Sequence, residues 1–206
     1  MYLMRPHSLV SSSADPDALA VLAQASGPLT GREVARRAGR SQDRIRQVLE
    51  RQIEHGIVFR EQAGRAWLYR LNRDHLAAPA IIELTELRAL LVDRLRVELA
   101  AWDEPALAAV LFGSAARGDG DLNSDIDLLI VRPEGVDEEH AAWTAQLDRL
   151  SDRVLVWTGN HAGIVEIGAE ELGDLIDRAP PVLESIRAEG IDLAGTRIGR
   201  LLRGTR

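Results

Sequence analysis

The sequence predicts an α+β protein built from two parts and a connector. Residues 1–75 show three helical patterns, followed by two short β-prone runs around a glycine turn. From residue 103 onward, continuous apolar runs typical of buried strands alternate with helical patterns. Between the two parts, residues 76–102 carry an apolar stripe at three- and four-residue spacing, which predicts one linking helix. The expected domains are therefore 1–75 and 103–206, joined by 76–102.

Capping and turn residues delimit the N-terminal helices. Thr30, with Glu33 three residues later, has the capping-box pattern at the start of the second helix. Ser41 opens the third helix, whose apolar residues recur at helical spacing until Gly56. A helix, a short turn with glycine and a second helix with polar N-terminal residues form the helix-turn-helix layout. The two β-prone runs within residues 57–71 would then form a hairpin, or wing.

This pattern resembles the winged helix-turn-helix modules of transcription regulators over roughly residues 14–75. The resemblance implies a domain that binds duplex DNA through arginine and glutamine side chains, which reach base edges and phosphates. The charge balance favours this, since residues 1–75 hold 12 arginines against 8 acidic residues, whereas the remainder holds 13 against 24. The predicted DNA-contacting residues are Arg40, Gln42, Arg44, Arg46 and, on the wing, Arg65. A module that binds protein or only packs on the second part is the alternative.

The amino-acid composition excludes several kinds of chemistry. The chain has no cysteine, which removes disulfides, cysteine-ligated zinc and a cysteine nucleophile. All 25 basic residues are arginines, and the absence of lysine excludes Schiff-base catalysis, P-loop NTPases and protein kinases. No apolar run reaches about 18 residues and the N-terminus lacks a secretory apolar segment, so a cytoplasmic protein without a membrane partner is expected.

The chemistry is expected in residues 111–131. A buried strand ends at Gly113 and Ser114, where backbone N–H groups and a hydroxyl would suit a phosphate. After a polar loop, a second strand opens with Asp125 and Asp127, whose spacing places both carboxylates on one side. Two such carboxylates repel each other unless a cation bridges them, and oxygen ligands favour Mg²⁺ or Mn²⁺. The segment therefore predicts metal-dependent phosphoryl or nucleotidyl transfer.

The same segment resembles the polymerase-β-like nucleotidyltransferase superfamily, and most closely its minimal members, including those of toxin–antitoxin pairs. The similarity lies in Gly-Ser, Ala-Arg-Gly and Ser-Asp-x-Asp-Leu between residues 113 and 128, within a resemblance that covers about residues 80–200. It implies a nucleotidyltransferase fold, with a short mixed sheet flanked by helices. The chain is thus expected to join a winged helix-turn-helix module to a nucleotidyltransferase domain.

The resemblance also implies roles for individual residues. Gly113 and Ser114 would hold the triphosphate of an NTP, with ATP expected, and Asp125 and Asp127 would hold two metal ions. Two further motif positions, which support the phosphates or the loop, are Arg117 and Ser124.

The superfamily requires a third carboxylate on a neighbouring strand, which completes the metal site and activates the attacking hydroxyl. The acidic residue inside a plausible later strand is Glu166, which is one methylene longer than the usual aspartate. We therefore expect the Glu166 carboxylate about 4–6 Å from those of Asp125 and Asp127. A solvated glutamate at a sheet edge is the alternative.

Two functions stay open from the sequence. The first is an enzyme that moves a nucleoside monophosphate, with AMP expected, to a hydroxyl of a protein, a small alcohol or an RNA 3′ end. Joined to a DNA-binding domain, such an enzyme would suit an antitoxin-type regulator that modifies a toxin protein encoded nearby. The second is a DNA-binding regulator whose nucleotidyltransferase-like domain senses nucleotide or binds a partner without turnover.

Overall fold

The computed structural model describes residues 14–120, 123–178 and 181–202. Within these ranges the chain forms two compact units, divided between Leu87 and Arg88. No helix in the described ranges combines the length and the apolar composition that a membrane span requires.

The first unit contains helices and a three-stranded antiparallel sheet. Its elements are α1 (Ala14–Gln24), β1 (Leu29–Thr30), α2 (Gly31–Ala38), α3 (Gln42–Glu54), β2 (Val58–Ala63), β3 (Ala66–Leu71) and α4 (Ala78–Thr85). The strand order is β1-β3-β2. The predicted caps are confirmed, because the Thr30 and Ser41 hydroxyls accept backbone N–H bonds at 3.2 and 3.3 Å. The helices and the hairpin lie where the sequence places them; that they form a DNA-binding winged helix stays a prediction.

The segment expected to be one linking helix is two helices. Helix α4 ends at Thr85 and α5 (Leu87–Ala100) begins after Glu86. The physical reason is that the apolar side chains of this segment are buried in two separate cores. Ala78 of α4 is buried in the core of the first unit, whereas Leu95 of α5 is buried in the core of the second.

The second unit is built on a four-stranded mixed sheet. After α5, its elements are β4 (Ala108–Leu111), α6 (Gly113–Arg117), β5 (Ile126–Arg132), α7 (Ala141–Thr158), β6 (Ala162–Gly168), α8 (Leu172–Arg178), α9 (Pro181–Glu189), β7 (Ile191–Gly195) and α10 (Ile198–Leu201). The strand order is β6-β5-β4-β7. Strand β4 runs antiparallel to β5 and β7, and β5 runs parallel to β6. The predicted mixed sheet flanked by helices is confirmed.

Strand β5 is buried on both faces of this sheet. Leu128 and Ile130 belong to a core shared with α5 and α7, whereas Leu129 and Val131 belong to a core shared with α8, α9 and α10. Because successive residues of a strand alternate between faces, this division fixes which side of the sheet each neighbouring side chain occupies.

Candidate active site

The two halves of the predicted motif meet where β4 ends and β5 begins. The strands are antiparallel, and the Phe112 N–H donates to the Asp127 carbonyl at 3.0 Å. Gly113 then starts α6 with a φ of 67°, in the left-handed region. A Cβ on Gly113 would overlap Oδ2 of Asp127. Glycine at residue 113 therefore permits both the backbone turn and the close approach of α6 to the Asp127 carboxylate.

The Asp125 and Asp127 side chains lie together, beside Gly163 of β6. A Cβ built on Gly163 would stand 3.5 Å from the Asp125 Cβ and 3.2 Å from Oδ1 of Asp127. Asp125 is exposed and Asp127 is half-buried. Burial, and then the negative charge of Asp125, raise the pKa of the Asp127 carboxyl above its usual value, while Arg117 acts in the opposite direction. The charges of this pair are unfavourable without a cation.

Ser114 and Ser124 both lie close to Gly120. A Cβ on Gly120 would stand 3.0 Å from the Ser114 Oγ and 3.6 Å from the Ser124 Cβ. The Ser124 carbonyl accepts a hydrogen bond from Nδ2 of the buried Asn160 at 2.7 Å. The structure therefore brings both predicted serines to one place. Asn160, which was not among the predicted site residues, anchors the loop just before Asp125.

Arg117 links the loop after α6 to helix α9. Its Nε lies 3.0 Å from Asp119 Oδ2, and its Nη1 lies 2.5 Å from Glu189 Oε1. The same Glu189 oxygen accepts a hydrogen bond from the Ser185 hydroxyl. The structure thus gives Arg117 a role in holding this loop, and a role toward phosphate stays a prediction.

Arg88 holds α6 in place by binding its last backbone carbonyls, and the sequence analysis did not identify it. Its Nε donates to the Ala115 carbonyl at 3.1 Å, and its Nη2 donates to the Ala116 carbonyl. These carbonyls belong to the last turn of a helix too short to satisfy them itself. Arg88 precedes the motif by more than twenty residues, so no local pattern connects the two.

The structure does not bring Glu166 to the aspartate pair, and the prediction that it does is wrong. Glu166 pairs in register with Ile130, whereas Asp127 pairs with Gly163. The offset of three residues separates them by about 10 Å along the strand and places them on opposite faces of the sheet. Glu166 instead accepts hydrogen bonds from Arg132 Nε at 3.0 Å and from Trp143 Nε1 at 2.7 Å. It is the partner of a nearly buried arginine.

The donor set around the aspartate pair fits one divalent cation. Two carboxylates on one side of a strand supply hard oxygen ligands, which Mg²⁺ and Mn²⁺ prefer, and bound phosphates would add others. Within the described residues, however, no three His, Asp or Glu side chains gather closely enough to form a metal site by themselves. The two-metal arrangement implied by the resemblance therefore lacks its third carboxylate in this part of the chain.

The sequence profile described as "Nucleotidyltransferase domain" matches residues 92–196. This range contains strands β4 to β7, α6 and every residue of the site described above except Arg88. The chain belongs to the nucleotidyltransferase domain family. A crystal structure of a mutant of the toxin–antitoxin pair MntA–HpeT also matches, with 15% sequence identity and a TM-score of 0.36, over 52% of this chain and 76% of that chain. That similarity is too low to assign a function or partner. No curated protein matches significantly.

Outside the nucleotidyltransferase domain, the predicted DNA-contacting residues fall into two groups. Arg40 is bound to the buried Asp17, with Nε 2.7 Å from Oδ2, so it stabilises the first unit. The others are exposed side chains at the start of α3 and on the hairpin: Gln42, Arg44, Arg46 and Arg65.

The hairpin adds two arginine–aromatic pairs that the sequence did not indicate. The Arg60 guanidinium lies 4.5 Å from the ring of exposed Trp67, and that of Arg70 lies 4.5 Å from the ring of exposed Phe59. A cleft of about 300 Å³ extends from Trp67 to Gln42 at the start of α3.

Proposed function

We propose that the nucleotidyltransferase domain binds an NTP, ATP in the first instance, together with Mg²⁺ or Mn²⁺, and transfers its nucleoside monophosphate to a hydroxyl acceptor. The observation that carries this proposal is the contact between Asp127 and Gly113, with Asp125 beside them. This contact brings the Asp127 carboxylate against the start of α6, the helix that also carries Ser114.

The residues of the site would have the following roles. The backbone at Gly113 and Ser114 binds the triphosphate, while Asp125 and Asp127 hold the cation. The cation, when bound, supplies positive charge that offsets the charge of the phosphates. The acceptor oxygen attacks the α-phosphorus, the bond from that phosphorus to the bridging oxygen breaks, and pyrophosphate leaves. The acceptor proton passes to solvent or to a base on the acceptor, since Glu166 faces the other side of the sheet.

Calorimetric titration of the full chain with ATP tests the binding step. We expect binding in Mg²⁺, a loss of at least tenfold in affinity in EDTA, and a similar loss in the double variant Asp125→Ala and Asp127→Ala. The matched control is Asp148→Ala with Asp152→Ala, which removes two exposed carboxylates from α7. Equal affinity with and without the cation would reject the metal site, and pyrophosphate release with added acceptors would report transfer.

A second candidate function is nucleotide binding without turnover. The position of Glu166 favours it, because this glutamate bonds to Arg132 and Trp143 rather than facing the aspartate pair. In that case the domain would change the behaviour of the chain when nucleotide binds. Metal-dependent ATP binding with no pyrophosphate release across a panel of protein, RNA and small-alcohol acceptors would select this function.

We also propose that the first unit binds duplex DNA through Arg44 and Arg46 of α3 and Arg65 of the hairpin. Their exposure at the start of α3 and on the hairpin turn supports the proposal. Gel shifts of the full chain should weaken steeply with salt, because arginine–phosphate contacts release counterions. The triple variant to alanine should lose retardation, whereas Arg36→Ala, an exposed arginine of α2, should keep it. Absence of retardation at low salt for the full chain would reject DNA binding.

The acceptor proposed is a protein encoded beside this gene, such as a toxin. A chain that joins nucleotidyl transfer to DNA binding suits a regulator acting on a product of its own operon. Incubation with ATP labelled at the α-phosphate should label that neighbouring protein. Labelling of RNA ends or small alcohols alone would replace this acceptor class.

A further inference from the structure

Beside the aspartate pair, strand β6 presents a residue without a side chain. Gly163 pairs with Asp127, and a Cβ there would point between the carboxylate of Asp127 and the Cβ of Asp125. Unlike Gly113, Gly163 is not among the glycines with positive φ, so its backbone is open to any residue. Its contacts, at 3.2 and 3.5 Å, would require the Asp127 carboxylate to shift by only a few tenths of an ångström. Residue 163 is thus the position in β6 from which a third ligand would reach the pair.

The neighbouring positions of β6 do not replace this ligand. Val165 is the next residue on the same face, and it pairs with Leu129 rather than with either aspartate. Glu166 faces the opposite side and is bound to Arg132. His161 precedes the strand and is exposed, and its carbonyl accepts the Ile126 N–H at 2.8 Å.

We propose that Gly163 limits the site to one divalent cation per bound nucleotide, held by Asp125 and Asp127. This inference rests on the proposed function. Mg²⁺ and Mn²⁺ each favour about six oxygen ligands, and two such cations in one site stand about 3.5–4 Å apart. Cations at that separation repel each other strongly, so a second one needs additional negative charge from the protein. The described residues supply two carboxylates, which suffice for one cation and the triphosphate.

The absence of a carboxylate at residue 163 also predicts slow turnover. A carboxylate at residue 163 would stand beside both aspartates and would be placed to accept the acceptor proton, a contribution of about 10²–10⁴ in rate. With glycine there, the acceptor must lose its proton without help from β6. The domain should therefore convert its metal–nucleotide complex to products more slowly than a site with three carboxylates would.

The test counts Mn²⁺ ions bound to the full chain by electron paramagnetic resonance, in the presence of ATP whose α,β-bridging oxygen is replaced by methylene. The wild type should bind one Mn²⁺ per nucleotide analogue, and Gly163→Asp should bind two. Gly163→Asn, of the same size without the charge, should bind one. Val165→Asp adds a carboxylate to the same strand and face, about 7 Å further along, and should also bind one. With water as the acceptor, so that AMP is the second product, Gly163→Asp should in addition release pyrophosphate from ATP at least tenfold faster than the wild type.

The outcomes separate this inference from the function on which it rests. Two Mn²⁺ per analogue in the wild type would overturn the inference and leave the proposed function standing. One Mn²⁺ in both the wild type and a folded Gly163→Asp would overturn it as well. No cation bound with the analogue in any variant would instead reject the metal–nucleotide site. If Gly163→Asp does not fold, the wild-type count still tests the one-cation site, since two Mn²⁺ per analogue there would overturn the inference.

Discussion

Two carboxylates on neighbouring strands of the sheet have opposite surroundings. Glu166 of β6 accepts hydrogen bonds from the nearly buried Arg132 and from the indole of the fully buried Trp143. Asp127 of β5 lies against Gly113 and beside Asp125, and its pKa is raised by burial and by that neighbouring charge. The Glu166 carboxylate therefore stabilises the fold, whereas ionisation of the Asp127 carboxyl destabilises it.

This difference separates structural charges from candidate site charges. A carboxylate that satisfies a buried arginine has no ligand positions to offer, and removing it would leave that arginine without a partner. A carboxylate kept near a like charge at the end of a strand costs stability until something positive binds. The arginines of the first unit divide in a similar way, between Arg40, bound to buried Asp17, and the exposed Arg44.

The largest effect on stability is expected from Glu166→Ala. The change leaves the Arg132 guanidinium and the Trp143 N–H without this acceptor, so the free energy of unfolding should fall by about 3 kcal/mol. Denaturant unfolding measures the loss, and Glu139→Ala, on an exposed glutamate, is the control. Metal-dependent nucleotide affinity should not change. A stable variant with lost affinity would place Glu166 in the site after all.

Gly113→Ala should come next and should act on both stability and binding. The alanine must adopt a left-handed backbone, at about 1–2 kcal/mol, and its Cβ must displace the Asp127 carboxylate. We expect lower stability and loss of metal-dependent ATP binding in titration. Gly163→Ala is the matched comparison, because its backbone is not left-handed, and it should fold with nearly wild-type stability. Equal effects at the two glycines would contradict the distinction between them.

Arg40→Ala and Arg44→Ala should separate stability from DNA binding. Removing the Arg40 bond to Asp17 should lower the free energy of unfolding by about 1–2 kcal/mol, as for a hydrogen bond between charged groups. Arg44→Ala should leave stability within about 0.5 kcal/mol. In gel shifts it should reduce the slope of affinity against salt concentration by about one unit, on logarithmic scales. If Arg44→Ala instead destabilised the chain, its assignment to the DNA-contacting surface would be wrong.

The smallest effect, and the one with a distinctive pH dependence, is expected for Asp127→Asn. The pKa of Asp127 is raised in the folded chain, so its contribution to stability is complete below the unfolded pKa of about 3.9 and is lost as pH rises through the folded value. At pH 7 without metal, the asparagine variant should therefore be the more stable, by less than about 1 kcal/mol after solvent screening. The difference should vanish near pH 4. Addition of Mn²⁺ should stabilise the wild type alone; an asparagine variant that is less stable at pH 7 without metal would show the aspartate to be structural.

Much of the fold and half of the site could be predicted from local pattern. The caps at Thr30 and Ser41, the strand before Gly113 and the i, i+2 spacing of Asp125 and Asp127 depend on near neighbours in the chain. Helix α6, strand β7 and the division of residues 76–102 between two cores were not predicted. Each depends on which distant segment packs against it. An apolar stripe predicts that a helix face is buried, but not in which core.

The sequence by itself determined the family motif, the aspartate pair and the chemistries that a chain without lysine or cysteine cannot perform. Only the tertiary structure decided which residue of β6 stands beside that pair. The reason is register: side chains alternate between faces, and the offset of three residues from Gly163 to Glu166 both lengthens the separation and reverses the face. A glutamate in the expected strand therefore became the partner of Arg132, and a glycine took the position beside the site.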